Sequence, residues 1–119
     1  MAQDYSSYLP HIDVKDGMAR VINNKQLYVR LLGKFKGQEM VAGLVEHANG
    51  GDAEKAMHAA HAIKGTAANL GFPVMCRAAG EVEEAAKRGE DAAPLLPALY
   101  EALHGLQLEI DRFLAENQN

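Results

Sequence analysis

The sequence predicts an all-α fold, an antiparallel up-down four-helix bundle with a short additional N-terminal helix. Three observations lead to this prediction. Apolar residues recur at intervals of three and four along most of the chain, which is the period of an amphipathic helix. Short breaks rich in Gly, Asn and Pro interrupt that pattern, as the turns between packed helices do. No stretch alternates apolar and polar residues in the way that a half-buried strand does.

Composition restricts the number of domains and the classes of partner. A chain of 119 residues is expected to be one domain with a core of its own. We expect residues 1–11 to be a lead-in and residues 12–119 to form the bundle. The net charge of −4 does not favour nucleic acid or an anionic membrane as a partner.

The sequence also indicates the compartment. It contains no long apolar run and no basic-then-apolar leader, so we expect neither membrane insertion nor a secretory signal. The single cysteine, Cys76, has no partner for an internal disulfide and is expected to be a small buried residue. These features predict a cytoplasmic protein.

The first half of the chain predicts a short helix followed by a long one. Asp13 is suited to cap the short helix, and Asn23-Asn24 to end it and to cap the next. The long helix is expected from Lys25 to about Ala48, with Gly37 as the place where it would kink. His11, which precedes both helices, is expected to be solvated.

The second half predicts three helices joined by tight turns. Asp52 is suited to cap a central helix that ends near Leu70, with Gly71 as a left-handed stop. A third bundle helix is expected from Pro73 to about Arg88, and the last helix from Glu90-Asp91 onward. The last helix has the most regular apolar stripe, formed by Leu96, Leu99, Leu103, Leu106, Ile110 and Phe113.

The central helix sorts its residues onto two faces. Its buried seam is predicted from a 4-3-4-3 spacing of Ala56, Ala60, Ile63, Ala67 and Leu70. At about 100° per residue, His61 lies roughly 140° from the centre of that seam and therefore faces outward. Lys64 and Gly65 follow one turn later, about 60° and 40° from His61, and Ala68 lies about 20° from it two turns on. The histidine thus has a lysine beside it and little side-chain bulk above it.

This surface is unusual for a helix and suits phosphoryl chemistry. A glycine inside a helix lowers its stability by about 1 kcal/mol relative to alanine. The absence of a side chain at Gly65, next to His61, therefore indicates a function. An exposed, rigidly held imidazole can attack phosphorus while the Lys64 ammonium offsets the charge of the phosphoryl group. The alternative is that His61 is an ordinary surface histidine and that Gly65 reflects packing alone.

The spacing around His61 resembles the signature of a known family. The H-x-x-K-G-x-x-x-N-L-G pattern of histidine-containing phosphotransfer (HPt) domains is matched by His61, Lys64, Gly65, Asn69, Leu70 and Gly71. The resemblance extends over residues 12–115 and includes Val82-Glu83 and Lys87-Arg88-Gly89 in the third bundle helix and its exit turn. It implies a four-helix bundle that relays phosphoryl groups in multistep phosphorelays.

The resemblance also implies roles for individual residues. His61 would accept a phosphoryl group on Nε2 from a receiver-domain aspartate and pass it to another receiver domain. Lys64 would shield the phosphoryl charge, and Gly65 would admit the receiver's loops. The rest of the receiver docking surface would be formed by Met57, His58, Ala68 and Asn69.

The implied protein is a phosphoryl carrier and not an enzyme. It would have no cofactor of its own, because the partner receiver domain binds Mg²⁺ and supplies the aspartate. Its partners would be response-regulator receiver domains and a hybrid sensor histidine kinase. It would act as a monomer, without nucleic acid.

Two other functions are open to a helical bundle. A di-iron site needs inward-facing Glu-x-x-His on two helices, whereas Glu101-x-x-His104 occurs once and lies off the apolar stripe. Glu54, His58 and His61 share one exposed helix face, which makes a weak metal site, so we predict no metal. The remaining alternative is a non-catalytic helical adaptor, a degenerate relative of the HPt family, although the presence of His61 argues against it.

Overall fold

The structure, a computed structural model, describes residues 9–117 of the chain. Within this range it contains helices and no strand, which confirms the all-α class. The elements are α1 (Val14–Ala19), α2 (Lys25–Gly33), α3 (Gly37–Asn49), α4 (Ala53–Leu70), α5 (Pro73–Lys87), a 3-10 turn (Ala93–Leu95) and α6 (Leu96–Asn117). Most of the predicted lead-in, residues 1–8, lies outside the described residues.

Side-chain caps begin three of the helices at the predicted positions. The caps of α1, α2 and α4 are Asp13, Asn24 and Asp52. Each side-chain oxygen accepts a hydrogen bond of 3.0–3.1 Å from the backbone N–H three residues later. Gly71 ends α4 with a left-handed φ of +81°, as its position in the sequence predicts.

The predicted long helix from Lys25 to Ala48 is wrong, because residues 34–36 divide it into α2 and α3. At the break, the ring of Phe35 packs edge-to-face against Phe72, with the ring centroids 5.1 Å apart. Gly37 begins α3 so close to α6 that an added Cβ would lie 2.7 Å from a methyl group of Leu103. The chain therefore breaks where a phenylalanine turns inward and a glycine permits close packing.

The predicted apolar stripes form the core. The seam of α4 and the stripe of α6 are buried along their whole length. The last helix begins later than predicted, at Leu96 and not at Glu90-Asp91. Pro94 and Pro97 explain this difference, because they lack the N–H groups that a regular helix would use, and a 3-10 turn precedes α6 instead.

The prediction that His11 is solvated is also wrong. Its Nδ1 contacts the Glu109 carboxylate, and its backbone N–H donates to Glu109 Oε1 at 2.8 Å. The imidazole lies directly on α6 at Gly105, where an added Cβ would come within about 2.5 Å of the ring. The segment before α1 is thus attached to the outside of α6.

Two smaller predictions concern the cysteine and the membrane. Cys76 is half-buried, and so is less enclosed than the sequence suggested. Among residues 9–117, no helix has the length and apolar character needed to cross a membrane.

Candidate functional site

The outward placement of His61 on α4 is confirmed. Its side chain is 67% exposed, whereas the seam on the other side of the helix is buried. Gly65 and Asn69 are exposed on later turns, and Ala68 is half-buried. An added Cβ on Gly65 would meet no atom within 4 Å. The surface beside the His61 imidazole is therefore free of side chains at Gly65, as the helical spacing predicts.

A buried carboxylate of α5 lies beside this histidine. The Glu83 side chain is 3% exposed, and its Oε2 lies 2.8 Å from His61 Nδ1. Its Oε1 forms an ion pair of 2.7 Å with Lys64 Nζ. Lys87 Nζ lies 3.6 Å from Oε2. We call these four side chains the Glu83 cluster.

The Lys64 side chain passes over α5 at Gly80. An added Cβ on Gly80 would lie 3.4 Å from Lys64 Cδ, which is ordinary van der Waals contact. The lysine extends from α4 across α5 and reaches Glu83. Lys64 is beside His61 as predicted, but its ammonium is held by a carboxylate that connects the two side chains.

The charges of the cluster keep Glu83 ionised. Its contact with Lys64 is the largest cause that lowers the pKa of Glu83, to about 2, and the hydrogen bond to His61 and the nearby Lys87 add to it against the opposing effect of burial. The same contact raises the pKa of Lys64. At neutral pH this site therefore holds a carboxylate and an ammonium ion.

The ionised Glu83 determines the tautomer of His61. A carboxylate only accepts hydrogen bonds, so the proton between the two groups belongs to Nδ1 of the imidazole. In a neutral ring the lone pair is then on Nε2. Nε2 has no hydrogen-bond partner within residues 9–117. The arrangement leaves a nucleophilic nitrogen on an open surface.

The remaining predicted site residues lie on α4 outside the Glu83 cluster. Met57 is half-buried. His58 is 68% exposed, and its Nε2 is 3.9 Å from Glu54 Oε1. Among residues 9–117, no group of three or more His, Cys, Asp or Glu side chains is placed to hold a metal ion. The absence of a metal in the working protein stays a prediction.

Glu83 is the functional residue that sequence reasoning missed. The resemblance to the HPt family includes Glu83 but gives it no role. A signal was present, since Glu83 follows Val82 and lies four residues after Ala79, within the buried face of α5. A carboxylate at a buried helical position requires a partner, and its two closest partners, His61 and Lys64, come from α4.

The comparisons with known proteins agree with this geometry. The family model for the Hpt domain matches residues 34–116. The crystal structure of histidine-containing phosphotransfer protein B (HptB) from Pseudomonas aeruginosa PAO1 is similar to this chain, with a TM-score of 0.83 and 25% sequence identity. That match covers 93% of this chain and 100% of the HptB chain. The comparison with curated proteins finds no match. The chain belongs to the Hpt domain family and has a histidine phosphotransfer role in phosphorelay signalling.

Proposed function

We propose that His61 is the phosphoacceptor, which receives a phosphoryl group from the aspartate of one receiver domain and passes it to another. The observation that carries this proposal is the 2.8 Å hydrogen bond from Nδ1 to Glu83. It directs the lone pair of Nε2 to an open surface and holds the ring in place. No other histidine within residues 9–117 combines such exposure with a buried carboxylate.

The transfer forms one bond and breaks another. Nε2 donates its electron pair to phosphorus, the bond between phosphorus and the aspartyl oxygen breaks, and the aspartate leaves as a carboxylate. The Nδ1 proton stays in its hydrogen bond to Glu83, and the ring becomes positively charged as the new bond forms. Glu83 offsets that charge, because a fixed and buried carboxylate stabilises a cation that develops beside it.

Lys64 shields the phosphoryl group once it is on His61. Lys64 lies one turn after His61 on α4, and its ammonium is 2.7 Å from Glu83 Oε1. The long, flexible stem of a lysine allows the ammonium to interact with an arriving phosphoryl oxygen. Lys64 thereby acts on both the carboxylate and the transferred group.

Receiver domains dock on the open face of α4. Gly65 admits the receiver's loops, and Met57, His58, Ala68 and Asn69 form the rest of the contact. The receiver supplies the aspartate and Mg²⁺, so the protein needs no cofactor of its own. The upstream partner is a hybrid sensor histidine kinase, and the protein works as a cytoplasmic monomer without nucleic acid.

The fold that presents this face is an up-down four-helix bundle formed by residues 12–119. In this description α2 and α3 together form the first bundle helix, interrupted at residues 34–36. The other three are α4, α5 and α6, and α1 is the additional N-terminal helix. Short turns between the helices and a shared apolar core favour this interpretation.

The proposal is tested by following labelled phosphate. Purified protein is mixed with receiver domains labelled by radioactive acetyl phosphate and Mg²⁺. We expect acid-labile, alkali-stable label on the wild-type protein and on His58→Gln, and none on His61→Gln. Helical circular dichroism and melting temperature should be nearly unchanged in both variants, since both side chains are exposed.

Two results would contradict the proposal. Label that persists on His61→Gln would mean that another residue is the acceptor. Failure of every receiver domain of the source organism to transfer label to the wild-type protein would favour the helical adaptor instead.

A further inference from the structure

Lys87 is the most loosely held side chain of the Glu83 cluster. It lies in the last turn of α5, four residues after Glu83 and on the same side of the helix. Its Nζ is 3.6 Å from Glu83 Oε2 and also 3.6 Å from Glu84 Oε1, and its side chain is 49% exposed. Both distances exceed the usual length of a hydrogen bond. Lys87 is therefore shared between a buried and an exposed carboxylate.

The buried carboxylate of Glu83 depends on the cations around it. Its Oε1 is enclosed by protein, and the partner of this atom within residues 9–117 is Lys64 Nζ, at 2.7 Å. This is a close ion pair, although its angles are poor for a hydrogen bond. Burial disfavours a charged carboxylate, so removing its cation destabilises the site. Glu83 thus needs an ammonium group close to it in every state of the site.

Phosphorylation makes a second demand on Lys64. In the proposed transfer, its ammonium turns toward the phosphoryl oxygens on Nε2 of His61. Glu83 contacts the other ring nitrogen, Nδ1, at 2.8 Å. An ammonium that moves toward the phosphoryl group therefore moves away from Glu83 Oε1. At the same moment Glu83 must stay ionised, because its charge offsets that of the imidazolium.

Lys87 is the cation placed to replace Lys64 at this carboxylate. A shift of less than about 1 Å brings its Nζ within hydrogen-bond distance of Glu83 Oε2. The shift lengthens the contact with Glu84, which is 56% exposed, and exposed pairs of this kind are weak. The adjacent Arg88 is directed instead to Glu90, with hydrogen bonds of 2.9 and 3.2 Å.

We propose that the two lysines exchange at Glu83: Lys87 moves onto the carboxylate when Lys64 turns to the phosphoryl group, and withdraws when that group leaves. The exchange forms and breaks no covalent bond and moves no proton. This proposal rests on the proposed function of His61. Lys87 contacts Glu83 and not the transferred group, so it is a positioning residue that acts through the carboxylate.

The first test uses the unphosphorylated protein. If either lysine can pair with Glu83, removing one of them leaves the other in place. Lys64→Ala and Lys87→Gln should therefore each lower the free energy of unfolding slightly, and the double variant should lower it by about twice their sum or more. Urea denaturation measures all three. Lys64→Ala/Arg88→Gln is the matched control, in which the two effects should add.

The second test measures the rate of transfer from a saturating concentration of receiver domain, labelled with acetyl phosphate and Mg²⁺. We expect Lys87→Gln to slow transfer by about fivefold, and Arg88→Gln to leave it unchanged. Lys87→Arg should stay within about twofold of the wild-type rate, since a guanidinium also pairs with a carboxylate. In a Glu83→Gln background, Lys87→Gln should change the rate by less than about twofold, because there is no carboxylate for Lys87 to hold.

The third test observes the ammonium groups of the wild-type protein by ¹⁵N nuclear magnetic resonance of its lysines. The Lys87 signal is assigned by its absence from Lys87→Arg. After phosphorylation by a receiver domain, the ammonium protons of Lys87 should exchange with water more slowly than before, because a hydrogen bond to a buried carboxylate protects them. The comparison is made on the unaltered protein, so it does not depend on how well a variant folds.

Several results would overturn the exchange and leave the function of His61 standing. Additive losses of stability in Lys64→Ala/Lys87→Gln would show that the lysines do not replace each other. A wild-type rate in Lys87→Gln, or an equal loss in Arg88→Gln, would remove Lys87 from the reaction.

Two further results would assign the lysines other roles. An undiminished effect of Lys87→Gln in the Glu83→Gln background would mean that Lys87 acts on the phosphoryl group itself. Unchanged proton exchange at Lys87 after phosphorylation would mean that Lys64 serves both groups at once. If no receiver domain labels His61, the proposed function fails, whereas the urea test still reports on the lysine pair.

Discussion

At the scale of single residues, the hydrogen bond between His61 and Glu83 has two effects on the imidazole. It holds the ring in the tautomer with the lone pair on Nε2, and in the proposed transfer it would place a negative charge beside the ring as the ring becomes cationic. The burial of Glu83 strengthens the second effect, because water screens its charge less than it would on the surface. In the proposed transfer, Glu83 would therefore be a positioning residue that acts on phosphorus through the imidazole ring.

The substitution Glu83→Gln tests this role with little change in shape. The amide oxygen can still accept a hydrogen bond from Nδ1, but the negative charge is lost. We expect phosphoryl transfer to slow by about tenfold or more, because the negative charge that offsets the developing imidazolium is removed. In ¹⁵N spectra of the histidine rings, the preference of His61 for protonation at Nδ1 should weaken, which a merely structural role would not produce.

The neighbouring Glu84→Gln is the control. Glu84 is 56% exposed, lies on the same helix and also contacts Lys87, at 3.6 Å. The Glu84→Gln substitution should leave both the rate of phosphoryl transfer and the ¹⁵N spectrum of the His61 ring unchanged. An equal loss of transfer in both variants would show that the net charge of α5, and not the contact with His61, is responsible.

The substitution Lys64→Ala tests charge shielding. We expect slower transfer and a shorter lifetime of phosphohistidine, with the helical content retained. The effect should become smaller as the salt concentration rises, because ions then screen the phosphoryl group in place of the ammonium. Lys55→Ala, on an exposed part of the same helix, serves as the control. A phosphohistidine lifetime equal to that of the wild-type protein would remove Lys64 from this role.

At the scale of elements, α4 combines an exposed face that must stay open with a buried face that must stay packed. Gly65 weakens the helix, and an added Cβ has free space there. Gly65→Ala should therefore raise the free energy of unfolding by up to roughly 1 kcal/mol. Gly65→Leu should fold at least as well as the wild-type protein yet lose transfer steeply, because its side chain obstructs the receiver. Chemical denaturation and the transfer assay measure the two properties separately.

A second glycine provides the comparison. An added Cβ on Gly43 in α3 also meets no atom within 4 Å. Gly43→Ala should raise stability in the same way as Gly65→Ala, and Gly43→Leu should leave transfer intact. A fall in melting temperature of several degrees for Gly65→Ala would contradict the open surface, because it would mean that Gly65 packs against a neighbouring helix.

The elements also show what sequence patterns can and cannot predict. The seam of α4 and the stripe of α6 were predictable because each depends only on helical periodicity within one segment. For the long helix the sequence predicted a kink at Gly37 but not the complete break at residues 34–36, since Lys34-Phe35-Lys36 contains no helix breaker and the packing against Phe72 and Leu103 joins distant parts of the chain. The buried position of Glu83 on α5 could be read from the sequence, but its contacts with His61 and Lys64 could not, because these two residues lie on another helix.

At the scale of the whole molecule, the Glu83 cluster makes folding depend on pH. Glu83 has a pKa of about 2 in the folded protein, below its ordinary value of 4.5. It therefore stabilises the fold fully above about pH 4.5, and this contribution is lost as the pH falls toward 2. We expect Glu83→Gln to show a smaller loss of stability between these pH values than the wild-type protein, as measured by urea denaturation. Glu84→Gln should keep the wild-type dependence, and a wild-type slope in Glu83→Gln would mean that Glu83 does not titrate as inferred.

The composition of the Glu83 cluster bears on the direction of signalling. With a neutral imidazole, one carboxylate and two ammonium groups leave the empty site with a single positive charge. A phosphoryl group brings two negative charges, and the ring to which it is bonded gains one positive charge, so the loaded site is neutral. Neither state carries a large excess of charge, and electrostatics alone favours neither loading nor unloading strongly. If the proposed transfer occurs, the charge of this site would give the phosphoryl group no strong preference for His61, and the ratio of phosphorylated to free receiver domains would weigh more in the direction of transfer.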